Sequence, residues 1–249
     1  MATTKQNWIP DASAPTNYYK VANLTVQMST FGKTQIQAIP YLCEPSEPDI
    51  VICSDWKSLQ SRQPHLSMDS CEYLSTGSSF YSQLLRHGGM MLHASAVVLD
   101  GEAYLFSAPC GTGKSTHTQL WLQKFGDRAY ILNDDKPALR YENDQWYAYG
   151  TPWSGKTDLN VNRRVPVAGI CVMYQARQNE IVPISGTEAI FSLFQQTVRP
   201  ASAEMRALLM ELLDKLLTKV PVWKMGCNMA LEAAETAYKA MSTGKKKED

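Results

Sequence analysis

Eight consecutive residues, Ala108-Pro109-Cys110-Gly111-Thr112-Gly113-Lys114-Ser115, have the types and spacing that hold a phosphate chain. Glycines let backbone N–H groups turn inward on an anion, and a lysine at this point reaches the outer phosphates. The Ser115 hydroxyl is the expected magnesium ligand, and a helix opening here adds its dipole and free N–H donors. Cys110, Gly111, Thr112, Gly113, Lys114, Ser115 and Thr116 are therefore the expected nucleotide-binding residues. The first glycine of the G-x-x-x-x-G-K-[ST] pattern is replaced by Ala108, while Gly-Thr-Gly-Lys-Ser-Thr remains. A dinucleotide fingerprint fits less well, because it would need glycine at Thr116.

Twenty residues beyond Lys114 stand two adjacent carboxylates, Asp134 and Asp135. Alone, an Asp-Asp pair before Lys136-Pro137 reads as a solvated turn. One loop–helix–strand unit separates it from the phosphate loop, however, and should return the chain beside that loop at the carboxyl edge of the sheet, where nucleotides sit. Phosphoryl transfer needs a metal to neutralise the outer phosphate oxygens and a carboxylate to orient or deprotonate the attacking hydroxyl. At a strand end one aspartate can face each task. Gly150-Thr151-Pro152-Trp153-Ser154-Gly155-Lys156 has the composition of a substrate-facing loop, with Trp153 and Lys156 as its candidate contacts. An anchored Trp153 in a plain connection explains the same residues equally well.

The elements that position these groups follow from periodicity. Ser95 to Leu99 and Glu102 to Phe106 flank Asp100-Gly101, a strong signal for a two-residue hairpin with positive φ at both central positions. An unbulged turn pairs Leu99 with Glu102 and sets His93 opposite Ala108, within a side chain's reach of the phosphate site. His93 is thus a candidate catalytic, phosphate-contacting or metal-linked residue, whereas His117 is read as a packing residue. A helix is expected over 116–125, closed by Gly126, then a strand over 129–133, a hairpin at Asn143-Asp144 and a central apolar strand over 167–174. Met205, Leu208, Leu209, Leu212, Leu213, Leu216 and Leu217 recur at helical spacing between a Ser202 cap and Pro221. Core packing and a subunit interface explain that stripe equally well. A last helix is expected over about 228–241. Upstream, residues 19–26, 34–42 and 50–53 read as short strands, and the Ser- and Gly-rich stretch 64–79 as an aperiodic boundary. The expected organisation is a strand-rich N-terminal region over 1–75, a nucleotide-binding domain over 76–243 and a solvated tail over 244–249.

The chain has 249 residues, with 24 Lys+Arg against 24 Asp+Glu. With no basic excess, neither nucleic acid nor an anionic membrane surface is an expected partner. A composition of 44% hydrophobic and 19% charged residues excludes disorder of the whole chain. The six cysteines form no C-x-x-C pair, and Met1 to Pro10 lack a charged-then-apolar targeting pattern. No apolar run approaches the ~18 residues a spanning helix needs. A cytoplasmic, soluble protein is expected.

Leu92-His93-Ala94-Ser95-Ala96, the Asp-Gly hairpin, Cys110-Gly-Thr-Gly-Lys-Ser-Thr116 and Leu132-Asn-Asp-Asp135 together resemble the catalytic domain of HPr kinase/phosphorylase. That superfamily also includes phosphoenolpyruvate carboxykinase, and the resemblance covers about residues 80–240. It implies an α/β fold with a P-loop on a mixed sheet, and an ATP- and Mg²⁺-dependent kinase that phosphorylates a hydroxyl. By the same resemblance Lys114 and Ser115 take the nucleotide and metal roles. Asp134 corresponds to the general base, Asp135 to a metal partner, and His93 to the histidine preceding the loop. Asn133 stands where the family usually has a small apolar residue. The Ile-Asn-containing signature of bifunctional HPr kinases is replaced by Gly150 to Lys156, so the resemblance does not extend to HPr as substrate or to the reverse reaction. That loop is more similar to HPr-kinase-like proteins of modified-peptide biosynthesis. The expected acceptor is a peptide or protein serine, or a small-molecule alcohol. Oligomers are common in the resembling family, so a homo-oligomer is a further expectation. A regulatory module that binds nucleotide without transfer is the alternative from another class. A nucleotide-hydrolysing switch would need a switch-loop threonine or glutamine that is not identifiable, and no N-K-x-D guanine motif is present.

Overall fold

The computed structural model describes residues 16–243. The segment Met1 to Pro10 and the tail 244–249, both subjects of sequence expectations, lie outside the described residues. The chain divides into two units, Met1–Phe80 and Tyr81–Asp249.

The first unit begins with a hairpin of β1 (Thr16–Val21) and β2 (Leu24–Ser29), turned at Ala22 and Asn23, which both have positive φ. Then come α1 (Gly32–Ala38), β3 (Ile50–Ile52), α2 (Trp56–Arg62) and α3 (Met68–Leu84). β3 pairs parallel with β2, and the division between the units falls within α3. Two expectations are corrected here. Residues 34–42 form no strand. Thr34, Gln37, Ala38 and Tyr41 are buried at helical spacing, which leaves Ile36 68% exposed. The stretch 64–79 is not aperiodic but mostly α3, whose buried positions Glu72, Thr76, Phe80 and Leu84 recur every four residues. Two of those four side chains are polar, which hides the period from hydropathy. The Thr76 hydroxyl is satisfied by donating to the Glu72 carbonyl at 2.8 Å.

The second unit takes in the end of α3, and Gly88 closes the turn that follows in the left-handed region. It continues with β4 (Gly89–Met91), β5 (Ala94–Leu99), β6 (Glu102–Ser107), α4 (Lys114–Phe125) and β7 (Ala129–Asn133). β8 (Ala138–Glu142), β9 (Gln145–Tyr149), β10 (Arg164–Gln175) and β11 (Glu180–Ile184) follow. The last elements are α5 (Gly186–Phe194), α6 (Ala203–Lys219), β12 (Val222–Cys227) and α7 (Glu232–Thr243). The result is a mixed, curled sheet in the order β4-β8-β9-β10-β6-β5-β7, with β12 and β11 branching from β10. The small sheet of the first unit is separate.

The β5–β6 hairpin has the expected register, from Leu99↔Glu102 to Ala94↔Ser107, and Asp100 and Gly101 both have positive φ. Its strands are buried on both faces. Ala96, Val98 and Leu105 join the core with Leu209, Leu213 and Leu216 of α6, while Val97, Leu99 and Phe106 join the core with Trp121 of α4 and Ala237 of α7. Alternation along one strand therefore feeds two helical layers. β10 is central, with β6 on one side and β9 and β12 on the other. β7 does not lie beside β6, because β5 is inserted between them. The last helix begins at Glu232 rather than near 228, since β12 occupies 222–227 and the Asn228 side chain holds the following turn. No described helix is long and apolar enough to cross a membrane.

In the first unit Glu72 is buried, and its Oε1 accepts the Phe31 N–H at 2.6 Å. Burial pushes its carboxyl up to about 7, outweighing the opposing hydrogen bond from Phe31. A carboxyl raised in the folded state favours folding fully below its ordinary value of 4.5 and loses that contribution as pH rises through about 7. Glu72→Gln should therefore raise stability at pH 8 by on the order of 1–3 kcal/mol and leave it nearly unchanged near pH 5. Urea midpoints at the two pH values check this; an equal effect at both contradicts it.

Candidate functional site

The strands bring their ends to one edge of the sheet. β6 and β10 are parallel, β5 is antiparallel to both β6 and β7, and β12 is parallel to β10. Along this edge therefore stand, in order, the carboxyl end of β7 with Asp134 and Asp135, the start of β5 with His93, and the carboxyl ends of β6, β10 and β12.

The turn after β6 runs from Ala108 into α4. Gly111 and Gly113 have φ of +81° and +108°, a region that other residues enter only at a steric cost. A Cβ on either glycine would meet nothing within 4 Å, so the space above the turn is open. Gly113 caps α4 without any side-chain hydrogen bond, and the first-turn N–H groups of a helix have no partner within the helix itself. Lys114 folds back over the turn, donating from Nζ to the Ala108 carbonyl at 2.8 Å and to that of Pro109 at 3.3 Å. Burial pulls its ammonium below the ordinary lysine value, against the opposing pull of the Asp135, Cys110 and Asp134 charges. Cys110 and Thr116 are exposed and Ser115 is half-buried on the first turn of α4. Open glycines, uncapped donors and a buried lysine suit the turn to a polyanion.

Asp134 is 5% exposed, and a buried carboxylate needs hydrogen-bond donors. Ser95, on the inserted strand β5, donates from Oγ to Asp134 Oδ1 at 2.5 Å. Ser95 Oγ in turn lies 2.7 Å from Thr118 Oγ1, which is 3.1 Å from the Ser115 carbonyl. A continuous polar chain thus ties the first aspartate to the first turn of α4. The insertion of β5 supplies this link, which direct pairing of β7 with β6 would not.

The second aspartate is held differently. Asp135 Oδ1 lies 3.2 Å from His93 Nε2, and its Oδ2 accepts from Lys136 Nζ. Burial pushes the Asp135 carboxyl up, but the His93 hydrogen bond and the Lys136 charge together outweigh it and hold it at about 2. It is ionised throughout the neutral range. His93 itself is placed by Gln196, whose Oε1 is 2.8 Å from Nδ1 and whose carbonyl accepts the His93 N–H at 2.7 Å.

Under both aspartates lies Asn133, fully buried. Its Nδ2 donates to the Thr151 carbonyl at 2.9 Å and to Thr151 Oγ1 at 3.1 Å, and its Oδ1 accepts from Asp135 N at 3.1 Å and Lys136 N at 2.8 Å. Tyr81 completes the knot, with Oη 2.9 Å from Thr151 Oγ1. These bonds fix the loop Gly150 to Lys156 against the aspartate turn, and Gly155 approaches so closely that a Cβ there would stand 2.9 Å from Asp135 Cβ.

The structure thus brings Lys114, Ser115, Asp134, Asp135 and His93 to one edge. It does not bring Trp153 to an open surface. Its side chain is 0% exposed and packs edge-on against Tyr81 at 5.4 Å, so the expected substrate contact is corrected to an anchor of the loop. Lys156 is exposed on the same loop. His117 is a packing residue: it is buried against Phe106, accepts from Trp121 Nε1 at 3.2 Å, and is depressed to about 4 by burial. Sequence reasoning missed Ser95, Thr118, Asn133, Thr151 and Gln196. Ser95 and Thr151 lie within motifs that the sequence singled out without a role for either, and Asn133 stood out as a polar residue where an apolar one was expected. Among the described residues no three or more His, Cys, Asp or Glu side chains cluster as a metal site. The Ser115 hydroxyl and the aspartates are hard oxygen donors, however, and magnesium typically takes only one or two protein carboxylates, filling its shell with waters and phosphate oxygens. The donor set fits that ion.

A family model described as SynChlorMet cassette protein ScmC matches residues 51–241. No curated protein matches the chain. Among solved structures, the Hpr(Ser) kinase/phosphatase from Coxiella burnetii is similar at 12% identity, over 62% of this chain and 99% of that chain, with a TM-score of 0.36.

The four hydrogen bonds of Asn133 predict that Asn133→Leu, which keeps the volume and removes every partner, lowers stability by about 2–4 kcal/mol. A urea midpoint unchanged from wild type would show that the knot is dispensable.

Proposed function

This chain belongs to the family of SynChlorMet cassette proteins ScmC, and we propose that it transfers the γ-phosphate of ATP to a hydroxyl group. The acceptor is a peptide or protein serine, or a small-molecule alcohol. One observation carries this reading: the glycine-rich turn with its uncapped helix and the pair of aspartates share one sheet edge, and Asp134 is joined to the first turn of that helix through Ser95 and Thr118. Phosphoryl transfer asks for a carboxylate on the metal side and another at the attacking hydroxyl, and two separately held aspartates suit that division.

In this reading the turn 108–113 and the first N–H groups of α4 cradle the phosphates, and Lys114 exchanges the carbonyls of Ala108 and Pro109 for phosphate oxygens. Its present partners are neutral carbonyls, and a triphosphate would satisfy the buried ammonium better. Ser115 and Asp135 would hold Mg²⁺, which when bound neutralises charge on the outer phosphate oxygens. Asp135 suits that place because its carboxyl, held down at about 2, is ionised throughout the neutral range. Asp134 orients the acceptor hydroxyl and takes its proton. Ser95 fixes one of its oxygens, which leaves the other the capacity to accept. His93, held between Gln196 and Asp135, orients the second carboxylate and lines the acceptor side. The exposed Lys156 lies on the loop packed over Asp135, and contacts the acceptor or the transferred phosphate.

Incubation with γ-labelled ATP and Mg²⁺ in a size-fractionated extract of the source cell tests the proposal. Wild type should label a discrete peptide or metabolite. Asp134→Asn should lower transfer by about 10²–10⁴-fold while binding ATP normally, and Lys114→Ala should lose ATP binding. ATP bound by wild type and Asp134→Asn alike, with no label transferred by either, would make the protein a nucleotide-binding module instead.

A further inference from the structure

We infer that the turns following β10 and β12, residues 175–179 and 228–231, form the seat for a purine base. The inference rests on the proposed reading of the glycine-rich turn as a phosphate cradle. The aspartates stand at the β7 end of the edge and the turn stands at its middle. A nucleotide whose outer phosphate faces the aspartates must therefore send its nucleoside the other way, over the ends of β10 and β12. With strands spaced about 4.8 Å apart, the edge from β7 to β12 spans roughly 19 Å, enough for an extended nucleoside triphosphate.

What stands at that end suits a base. Gln175, the last residue of β10, donates from Nε2 to the Thr112 carbonyl at 3.4 Å, so the platform is continuous with the glycine-rich turn. Beyond it the chain arches over the end of β12 before returning as β11, and hydrogen bonds hold the two turns together. Ala176 N donates to the Cys227 carbonyl at 3.0 Å, Asn228 N to Asn179 Oδ1 at 3.0 Å, and Asn228 Nδ2 to the Arg177 carbonyl at 3.0 Å. Asn228 Oδ1 accepts from Ala230 N at 2.9 Å, which fixes the entry to α7. On this braced frame sit two outward apolar side chains, Met229 at 78% exposure and Leu231 at 41%. Met229 and Leu231 lead directly into α7, which packs beside α4, the helix that the glycine-rich turn opens. An aromatic base laid on Met229 and Leu231 buries apolar surface that is otherwise wet, and Met is suited to contact with aromatic faces. Exposed amide and guanidinium groups of Gln175 and Arg177 border it.

The test compares two probes on the full-length chain by calorimetric titration: Mg-ATP and Mg-bound inorganic triphosphate, which has phosphates and no base. Wild type should bind both, with ATP the tighter. The double variant Met229→Ser, Leu231→Ser changes exposed residues only. It should weaken ATP by about tenfold and leave inorganic triphosphate unchanged, so that the advantage of ATP shrinks. Equal ATP affinity in wild type and variant would overturn the base seat while leaving the phosphate cradle standing. Failure of wild type to bind either probe would overturn the cradle, and the base seat with it.

Discussion

A buried carboxylate cannot be left without donors, and the way this protein meets that demand organises the whole second unit. Asp134 stands at the end of β7, two strands away from the turn that opens α4. Its donor comes from Ser95 on the intervening strand, and Ser95 is tied through Thr118 to the carbonyls of that helix's first turn. For Ser95 to reach both neighbours, β5 must run antiparallel between β6 and β7, in the register that the Asp100-Gly101 turn imposes. A one-residue slip would turn Ser95 to the other face and leave Asp134 unsatisfied in the core. The tight hairpin, the double-faced burial of β5 and β6, and the two helical layers all serve that register.

The two aspartates are neighbours in sequence but belong to different environments. Asp134 is enclosed, with a neutral hydroxyl as its donor; Asp135 is partly exposed and flanked by an imidazole and an ammonium. Adjacent residues at a strand end point to opposite sides, so one dipeptide presents two carboxylates of unlike character to one edge. Asn133 makes that divergence stable. By accepting from the backbone of Asp135 and Lys136 and donating to Thr151, it fixes both the aspartate turn and the loop that covers it.

Much of this was legible in the residues. Where hydrophobic period and turn chemistry agreed, as at the Asp-Gly hairpin, the 205–217 stripe with its Ser202 cap, and the glycine-rich turn before α4, element and register both emerged as expected. Elements built on buried polar residues escaped. α3 hides its period because Glu72 and Thr76 occupy core positions, and α1 hides its helix by burying Thr34 and Gln37 while exposing Ile36. β12 was lost beneath a proline read only as a stop. In the site, charged residues announced themselves, but Ser95, Thr118, Thr151 and Gln196 act only through partners far away in the chain, and no local spacing encodes such a partner. Trp153 was ambiguous for the same reason: only Tyr81, seventy-two residues upstream, shows that it faces inward.

We propose that one sheet edge, with the glycine-rich turn at its middle and the aspartates at its end, receives a magnesium-bound nucleoside triphosphate. Amide hydrogen exchange of the full-length chain, with and without a non-hydrolysable Mg-ATP analogue, tests it most directly. Slower exchange confined to residues 110–116 and the 133–136 turn is the predicted result. Unchanged exchange in both segments at saturating analogue would contradict the account.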